Sequence, residues 1–159
     1  MKNLFLLIIG FLLFNGVYAQ GVFTSAATGN WNAAGTWTLP SGSDADGIPD
    51  SDDDVTILDD HTVTVNVVSA CNNLSINSDA NANMVNATVT ISASQSLTLF
   101  GNLVNDKTLT GTGTLIIGGS VPQSLNGSAT IGSNNTILKV SNDCTFSRTS
   151  TFNSITVDA

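Results

Sequence analysis

The residues of this 159-residue chain that are best suited to chemistry are aspartates crowded into one loop. Calcium takes about six to eight hard oxygen ligands, and carboxylates at alternate positions around a glycine turn can wrap one ion. Like charges held this close repel one another, so a cation would lower the cost of packing them together. The pattern predicts a calcium site, with a solvated acidic loop as the alternative. The expected metal ligands are Asp44, Asp46, Asp50, Asp52 and Asp53.

Two tryptophans, Trp31 and Trp37, lie shortly before the first regular strand. Large rings at this place can cover the exposed apolar end of a stack of strands. They could instead stack on sugar rings, which would make the chain a carbohydrate-binding module with these two residues as its ligand contacts. We expect the packing role and keep the carbohydrate-binding module as the alternative function.

Catalytic residues are hard to assemble from this sequence. His61 is the only histidine, and a single histidine without a second one or a cysteine nearby is a weak metal signal. We expect it to be a turn residue that leads into a strand. Polysaccharide-cleaving chemistry needs paired carboxylates of controlled pKa, or a base beside a cation. Outside the acidic loop the acids are scattered, and no serine or cysteine nucleophile can be paired with a base, so the sequence predicts a protein that is not an enzyme.

Short segments that alternate apolar with small polar residues recur along the chain from residue 55 onwards. Alternation buries one face of each segment, as half-buried strands require, and the Asn, Asp and Gly clusters between them fit tight turns. We predict an all-β fold, a right-handed parallel β-helix (β-solenoid) with an N-terminal cap, and keep the β-sandwich as the alternative. The predicted strands lie at 55–57, 63–65, 74–76, 89–91, 97–99, around 109, and at 115–117, 137–140 and 154–157.

The chain divides into three predicted parts. Residues 1–19 carry one positive charge, an apolar run and a small residue at position 19, which together predict a cleaved secretory signal peptide. Residues 20–54 are the expected cap with the Asp-rich loop, because an open first rung would leave unpaired strand edges. Residues 55–159 are the expected solenoid rungs, and we expect the solenoid to be truncated at its C-terminus.

The composition of the chain argues against nucleic acid as a partner and against a membrane span. The formal net charge is −8 and the sequence pI is about 4.1, so the basic footprint that nucleic acid requires is missing. No segment after the predicted signal peptide is long and apolar enough to span a bilayer, which takes about 20 residues. Together with the predicted signal peptide, this leads us to expect a secreted or cell-surface protein. Surface glycans or other cell-surface proteins are the partners we expect at that location.

The two cysteines, Cys71 and Cys144, test the predicted fold. In a solenoid about three rungs of about 4.8 Å each would separate them, a gap on the order of 14 Å, whereas a disulfide needs Cα atoms within about 7 Å. We predict two unpaired, buried thiols. A bond between them would favour the sandwich.

Thr-x-Thr steps occur at 62–64, 88–90 and 108–110. Stacked on one flat face, these threonines could order water, as in ice-binding solenoids. Ordinary strand alternation produces the same steps, because threonine favours strands. Threonine ranks in register on successive rungs are the observation that would favour the water-ordering role.

The part after residue 19 carries a run of short motifs: Gly29-Asn30-Trp31, Thr36-Trp37, Asp53-Asp54-Val55-Thr56-Ile57, His61-Thr62-Val63-Thr64-Val65 and Cys71-Asn72-Asn73-Leu74-Ser75-Ile76. This run resembles the N-terminal β-helix module of large secreted bacterial proteins that use the type IX secretion pathway. The resemblance covers nearly all of the mature chain and implies an adhesin-like protein with further repeats and a C-terminal sorting domain. The chain departs from the family pattern at Asp60, where glycine is usual. We expect truncation to explain why the 159 residues do not reach the sorting domain that the resemblance implies.

The acidic loop has a resemblance of its own, over Asp44-Ala45-Asp46-Gly47-Ile48-Pro49-Asp50-Ser51-Asp52-Asp53. This segment is similar to a thrombospondin type 3 calcium repeat, which implies calcium as its ligand. Gly42 stands where the first acid of that repeat would be. The repeat normally occurs in tandem, and here it occurs once.

Overall fold

The computed structural model of the chain describes residues 20–77, 87–129, 137–140, 143–146 and 154–157. These residues form strands and one short 3-10 helix, Ala34–Thr36, so the all-β prediction is confirmed. The predicted signal peptide, 1–19, lies outside the described residues. The strands are β1 Val22–Ser25, β2 Gly29–Asn30, β3 Trp37–Ser41, β4 Asp54–Ile57, β5 Thr62–Val65, β6 Ser69–Cys71, β7 Leu74–Ile76, β8 Thr88–Ile91, β9 Ser96–Leu99, β10 Leu103–Asn105, β11 Thr108–Gly111, β12 Thr114–Ile117, β13 Gln123–Asn126, β14 Ile137–Val140, β15 Cys144–Phe146 and β16 Ser154–Val157.

The strands assemble into three sheets. Sheet A has the order β15-β13-β10-β7-β4-β1-β3, sheet B β11-β8-β5-β2, and sheet C β16-β14-β12-β9-β6. From β4 to β12, consecutive strands go to sheets A, B and C in turn. Each strand from β4 to β9 pairs with the strand three places further along the chain. Within the described ranges every pairing is parallel except that of β1 with β3, whereas sandwiches of the immunoglobulin type use antiparallel sheets.

The core is made of apolar rows that run from strand to strand at right angles to the chain. In sheet A, Val55 is in register with Leu74, which is in register with Leu103. In sheet B, Val63 has Val89 as its partner. All five side chains are buried. Each strand turns alternate residues inward, so these rows bury apolar surface worth about 25 cal/mol per Å2.

A polar ladder joins successive turns at the corner between sheets C and A. Asp54 Oδ1 accepts hydrogen bonds from Asn73 Nδ2 at 2.7 Å and from Asn72 Nδ2 at 2.9 Å. Asn73 Oδ1 in turn accepts from the Asn102 N–H at 2.7 Å, and Asn102 Oδ1 from the Ser124 N–H at 2.8 Å. Short amide side chains therefore satisfy the backbone of the next corner, which explains their recurrence there.

At the N-terminal end, a strand that reverses direction covers the edge of sheet A. Strands β1 and β2, inside the segment expected to be a cap, already pair parallel with β4 and β5. After β2 the chain passes through the 3-10 helix and returns as β3, antiparallel to β1 at the edge of sheet A. A paired β3 leaves β1 without a free edge, as a cap requires.

Two details bear on the sequence predictions. Cys71 and Cys144 are both free, as predicted, and Cys71 is buried, but Cys144 is only half-buried, so the prediction of two buried thiols is wrong for Cys144. Asp60, at the place where the resembling family has glycine, takes φ +68°, a left-handed conformation that short polar residues adopt more readily than others.

Candidate functional site

Three of the five predicted metal ligands come together at the N-terminal end. One carboxylate oxygen from each of Asp44, Asp50 and Asp53 lies within 4.8 Å of the other two, so the group could hold a metal ion. Asp46 and Asp52 lie in the same loop but are not part of this group. The structure therefore narrows the predicted set of ligands.

Asp53 is the fixed member of this Asp cluster (Asp44, Asp50 and Asp53). Its side chain sits just before β4 and the residue is only 2% exposed. Oδ1 accepts a hydrogen bond from the Gly21 N–H at 2.7 Å, and Oδ2 accepts one from the Asp50 N–H at 2.8 Å. The carboxylate thus ties the loop to the residue that precedes β1, and buried carboxylates require such partners.

The rest of the loop folds on its own aspartates. Asp44 Oδ1 accepts from the N–H groups of Asp46 at 3.0 Å and Gly47 at 2.5 Å. Asp46 Oδ1 accepts from the Ile48 N–H at 2.9 Å. Aspartate favours such local turns because its side chain mimics a backbone acceptor, and Gly47 supplies the positive φ, +72°. Much of the acidic spacing therefore serves the backbone of the loop.

Electrostatics raises the pKa of two cluster members. The pKa of Asp50 is raised above 3.8, first by a side-chain hydrogen bond with Asp52 and then by burial and by repulsion from Asp52 and Asp44. The pKa of Asp53 is raised mainly by burial, with added repulsion from Asp50 and Asp44. A raised pKa means that protonation of these carboxylates stabilises the folded loop. A bound cation would relieve the repulsion between the aspartates in the same way.

Trp31 and Trp37 are in the core. Their exposed fractions are 1% and 6%, and the rings meet edge to face with centroids 5.1 Å apart. Trp31 Nε1 donates to the carbonyl oxygen of Pro49 at 3.2 Å, which fastens the acidic loop to the aromatic pair. Phe23 packs against Trp37 with ring centroids 6.3 Å apart. As placed, neither indole offers a face to a sugar ring, and both act as packing residues.

A serine–histidine contact was missed by sequence reasoning. Ser25 Oγ and His61 Nδ1 are 2.9 Å apart, although 36 positions separate them in the chain. The expectation that no serine lies beside a base is therefore wrong, because the fold brings Ser25 next to His61. Ser25 is 1% exposed and its Oγ also accepts from the Leu58 N–H at 2.9 Å, so the pair fastens β1 to the turn after β4. No local motif could have indicated it, because parallel stacking alone brings the two residues together.

The Thr-x-Thr steps of sheet B stand in register. Their side chains are all half-buried on the outer face, and β5, β8 and β11 pair without a shift. The outer rows of the other sheets are mixed: Thr56, Ser75 and Val104 follow one another in sheet A. Uniform threonine is thus a property of sheet B. The two ranks are Thr62, Thr88 and Thr108, and Thr64, Thr90 and Thr110.

Comparison with known protein families, with characterised proteins and with solved structures finds no match to this chain. Among the described residues there is no helix with the length and apolar character needed to cross a membrane. Function must therefore be argued from the geometry.

Proposed function

We propose that the chain is a non-catalytic structural module of adhesin-like character, secreted or held at the cell surface, whose strands form a right-handed parallel β-solenoid with an N-terminal cap. The observation that carries the proposal is the three-sheet repeat, in which each strand from β4 to β9 pairs in register with the third strand after it. Repeating units of this kind bury each turn against its neighbours, so a rigid body with long outer faces needs no large globular core. Right-handedness follows the general rule for crossovers between parallel strands, which holds in about 98% of cases.

Burial of the reactive groups supports a non-catalytic role. Ser25, the serine in contact with histidine, is inside the core. The Asp50 Oδ1 and Asp53 oxygens accept backbone N–H groups, which is how loop-forming carboxylates are used. A nucleophile or general base must instead reach its substrate within about 3 Å.

Calcium at the Asp cluster is the second element of the proposal. Asp44, Asp50 and Asp53 would supply three carboxylate ligands, and carbonyl groups of the loop and water would complete the six to eight oxygens that calcium takes. Bound there, the ion would neutralise the repulsion that raises the pKa of Asp50. Its role would be to stiffen the loop that Asp53 and the Trp31–Pro49 hydrogen bond attach to the cap.

The repeat is tested by engineered disulfides between registered outer residues. Ser75 and Val104 are partners on adjacent strands, so Ser75→Cys with Val104→Cys should cross-link under mild oxidation in a Cys144→Ser background. Thr56→Cys with Val104→Cys is the matched control, since these residues lie two strands apart, about 9.6 Å. Cross-linking of the control as fast as the registered pair would contradict the repeat.

Location and adhesion need a separate experiment. The whole chain, residues 1–159, is expressed in a bacterial host, and the mature protein should begin at Gln20 by mass spectrometry and be accessible to protease added outside the cells. Cells that display it should adhere to a glycan- or protein-coated surface better than cells that display the destabilised Trp31→Ala variant. Retention of the uncleaved chain inside the cell, or equal adhesion by both, would overturn this part of the proposal.

A second candidate function, ordering of water at an ice surface, is favoured by the threonine ranks of sheet B. Each rank repeats at the strand spacing of about 4.8 Å, and the two ranks are about 6.6 Å apart along each strand. A regular hydroxyl and methyl array can hold a layer of water molecules in a fixed pattern, as β-branched residues are stiff at χ1.

An assay of ice-recrystallisation inhibition distinguishes the water-ordering function from a threonine face that results only from strand alternation. Thr90→Lys introduces a lysine in the middle of one threonine rank. Thr56→Lys on sheet A is the matched control. Inhibition that Thr90→Lys abolishes and Thr56→Lys preserves would support the water-ordering role. No inhibition by the unaltered chain would exclude it.

A further inference from the structure

Among the described residues, sheet C lacks the strand that the first turn of the chain gives to the other sheets. Strand β1 precedes β4 in sheet A and β2 precedes β5 in sheet B, whereas β6 is the first strand of sheet C. At the corresponding place the chain continues from Trp31 into the 3-10 helix and then turns back as β3. One edge of β6 therefore faces the loop around Pro49 and not another strand.

The backbone of Ala70 points to this edge. Cys71 O accepts from the Phe100 N–H at 3.0 Å, so Cys71 turns its peptide groups toward β9. Successive residues of a strand point their N–H and C=O groups to opposite sides. The N–H and C=O of Ala70 are thus directed away from β9, and no described strand pairs with them. An unpaired edge of this kind is a template for another strand.

A groove with a volume of about 400 Å3 runs along this edge. Its apolar lining includes Ile48, Pro49 and Trp31 from the N-terminal part of the chain, together with Val68 and Phe100. Val68 is 73% exposed and Phe100 is 41% exposed. The lining therefore offers apolar contacts to side chains on an added strand, beside the hydrogen-bonding edge of β6.

The charge around the groove is negative. Asp50 lines it and is exposed, and the whole chain carries a formal net charge of −8. None of the residues along the groove is a lysine or an arginine. A cationic side chain on the occupant would therefore be favoured, and an acidic occupant would be repelled.

We propose that this β6-edge groove binds an extended, apolar segment of a partner protein that carries a basic residue, and that the segment adds to sheet C as a strand. Backbone hydrogen bonds to Ala70 would supply affinity, and the apolar walls with Asp50 would supply specificity. The inference depends only on the edge of sheet C, so it stands or falls separately from the secreted, adhesin-like role.

The probe is a synthetic peptide, acetyl-Lys-Val-Thr-Val-Thr-Val-amide, titrated into the isotope-labelled chain at pH 7 with EDTA present. Binding should shift the amide signals of residues 67–71 and of Ile48, Asp50 and Ser51. A copy with alternate backbone nitrogens methylated should bind at least about tenfold more weakly, equal to about 1.4 kcal/mol, because it cannot form the ladder. A copy with glutamate in place of lysine should also bind more weakly. Absence of any shift, or equal binding by the methylated copy, would overturn the proposal.

Two variants place the site. Ala70→Pro removes the N–H that faces the groove while sparing the bonds to β9, and proline is tolerated at an edge of this kind. It should weaken the lysine peptide at least about tenfold. Val68→Lys should weaken it too, by blocking the wall and repelling the basic residue. Val121→Lys, at an exposed valine outside the groove, is the matched control and should bind as the unaltered chain does. Unchanged binding by folded Val68→Lys would also refute the site.

Discussion

Trp37 Nε1 donates a hydrogen bond to the backbone oxygen of Trp31 at 2.8 Å, while the two indoles meet edge to face. Trp37 thus contacts both the backbone and the ring of Trp31, which lies six positions earlier in the chain. Because Trp31 also bonds to Pro49, the pair joins β2, β3 and the acidic loop. The packing of the N-terminal end therefore depends on these two residues.

Removal of one ring should therefore unfold the cap. We expect Trp31→Ala to lower the free energy of unfolding by about 3–5 kcal/mol, measured by urea denaturation, because it leaves a cavity and removes the hydrogen bond to the Pro49 oxygen. Val68→Ala, at an exposed apolar residue, is the control and should change it by less than about 0.5 kcal/mol. A folded Trp31→Ala protein that had lost binding on a glycan array would instead favour the carbohydrate-binding module.

The sequence predicted those strands whose inner positions are apolar. Val63 and Val65 alternate with threonine in β5, and the segment was identified at once. Among the strands that the sequence did not predict, β6, β10 and β13 carry Ser69, Asn105 and Gln123 at inner, buried positions. Gln123 satisfies itself there by accepting from the Gly119 N–H at 2.6 Å and donating to Leu99 O at 3.1 Å. Only the neighbouring turns provide these partners, so no local pattern reveals them.

The sequence predicted which loop carries the candidate site, but not which of its aspartates come together. Alternate spacing placed five aspartates in one loop, yet Asp46 uses its Oδ1 to cap the Ile48 N–H, and only the folded loop separates this role from that of Asp53. The missing strand of sheet C could not be foreseen either, because it results from the reversal of the chain at the 3-10 helix.

Calcium should raise the melting temperature through Asp50 in particular. Asp50→Asn keeps the oxygen that accepts from the Asp52 N–H but removes the charge, so the stabilisation by millimolar calcium over EDTA should fall to a small fraction. Asp46→Asn, which likewise keeps its turn bond and lies outside the Asp cluster, should retain the full calcium shift. Differential scanning fluorimetry measures both variants. An unaltered chain whose melting is the same in calcium and EDTA would rule out the site.

The raised pKa values of Asp50 and Asp53 predict a pH dependence with a definite sign. Both groups hold a proton more tightly in the folded state than at their ordinary value of 3.8. Their contribution to stability is complete below that value and is lost as the pH rises through the folded-state pKa values. In EDTA the free energy of unfolding should therefore decrease from about pH 4 upward, where an ordinary aspartate ionises.

The same two variants separate this effect from general charge repulsion. Asp50→Asn should flatten the decrease, and Asp46→Asn should leave it in place, when chemical denaturation is repeated across the pH range in EDTA. In saturating calcium the decrease should disappear in the unaltered chain, because the ion binds the ionised carboxylates and the folded state then no longer favours their protonated forms. A stability that rises with pH over this range would contradict the assignment.

The pairing of β11 with β8 in sheet B requires glycine at position 111. Gly111 has φ +121°, and a Cβ added to it would collide with the backbone of Ile91 on the adjacent strand β8. Main-chain atoms held in a ladder cannot move aside, so Gly111→Ala combines backbone strain with overpacking and should cost about 3 kcal/mol. Gly35→Ala is the matched control, because no atom lies within 4 Å of its added Cβ, and it should change stability by less than about 0.5 kcal/mol. Urea denaturation of the two proteins measures the difference. Equal stability would mean that β8 and β11 do not approach as closely as this packing requires.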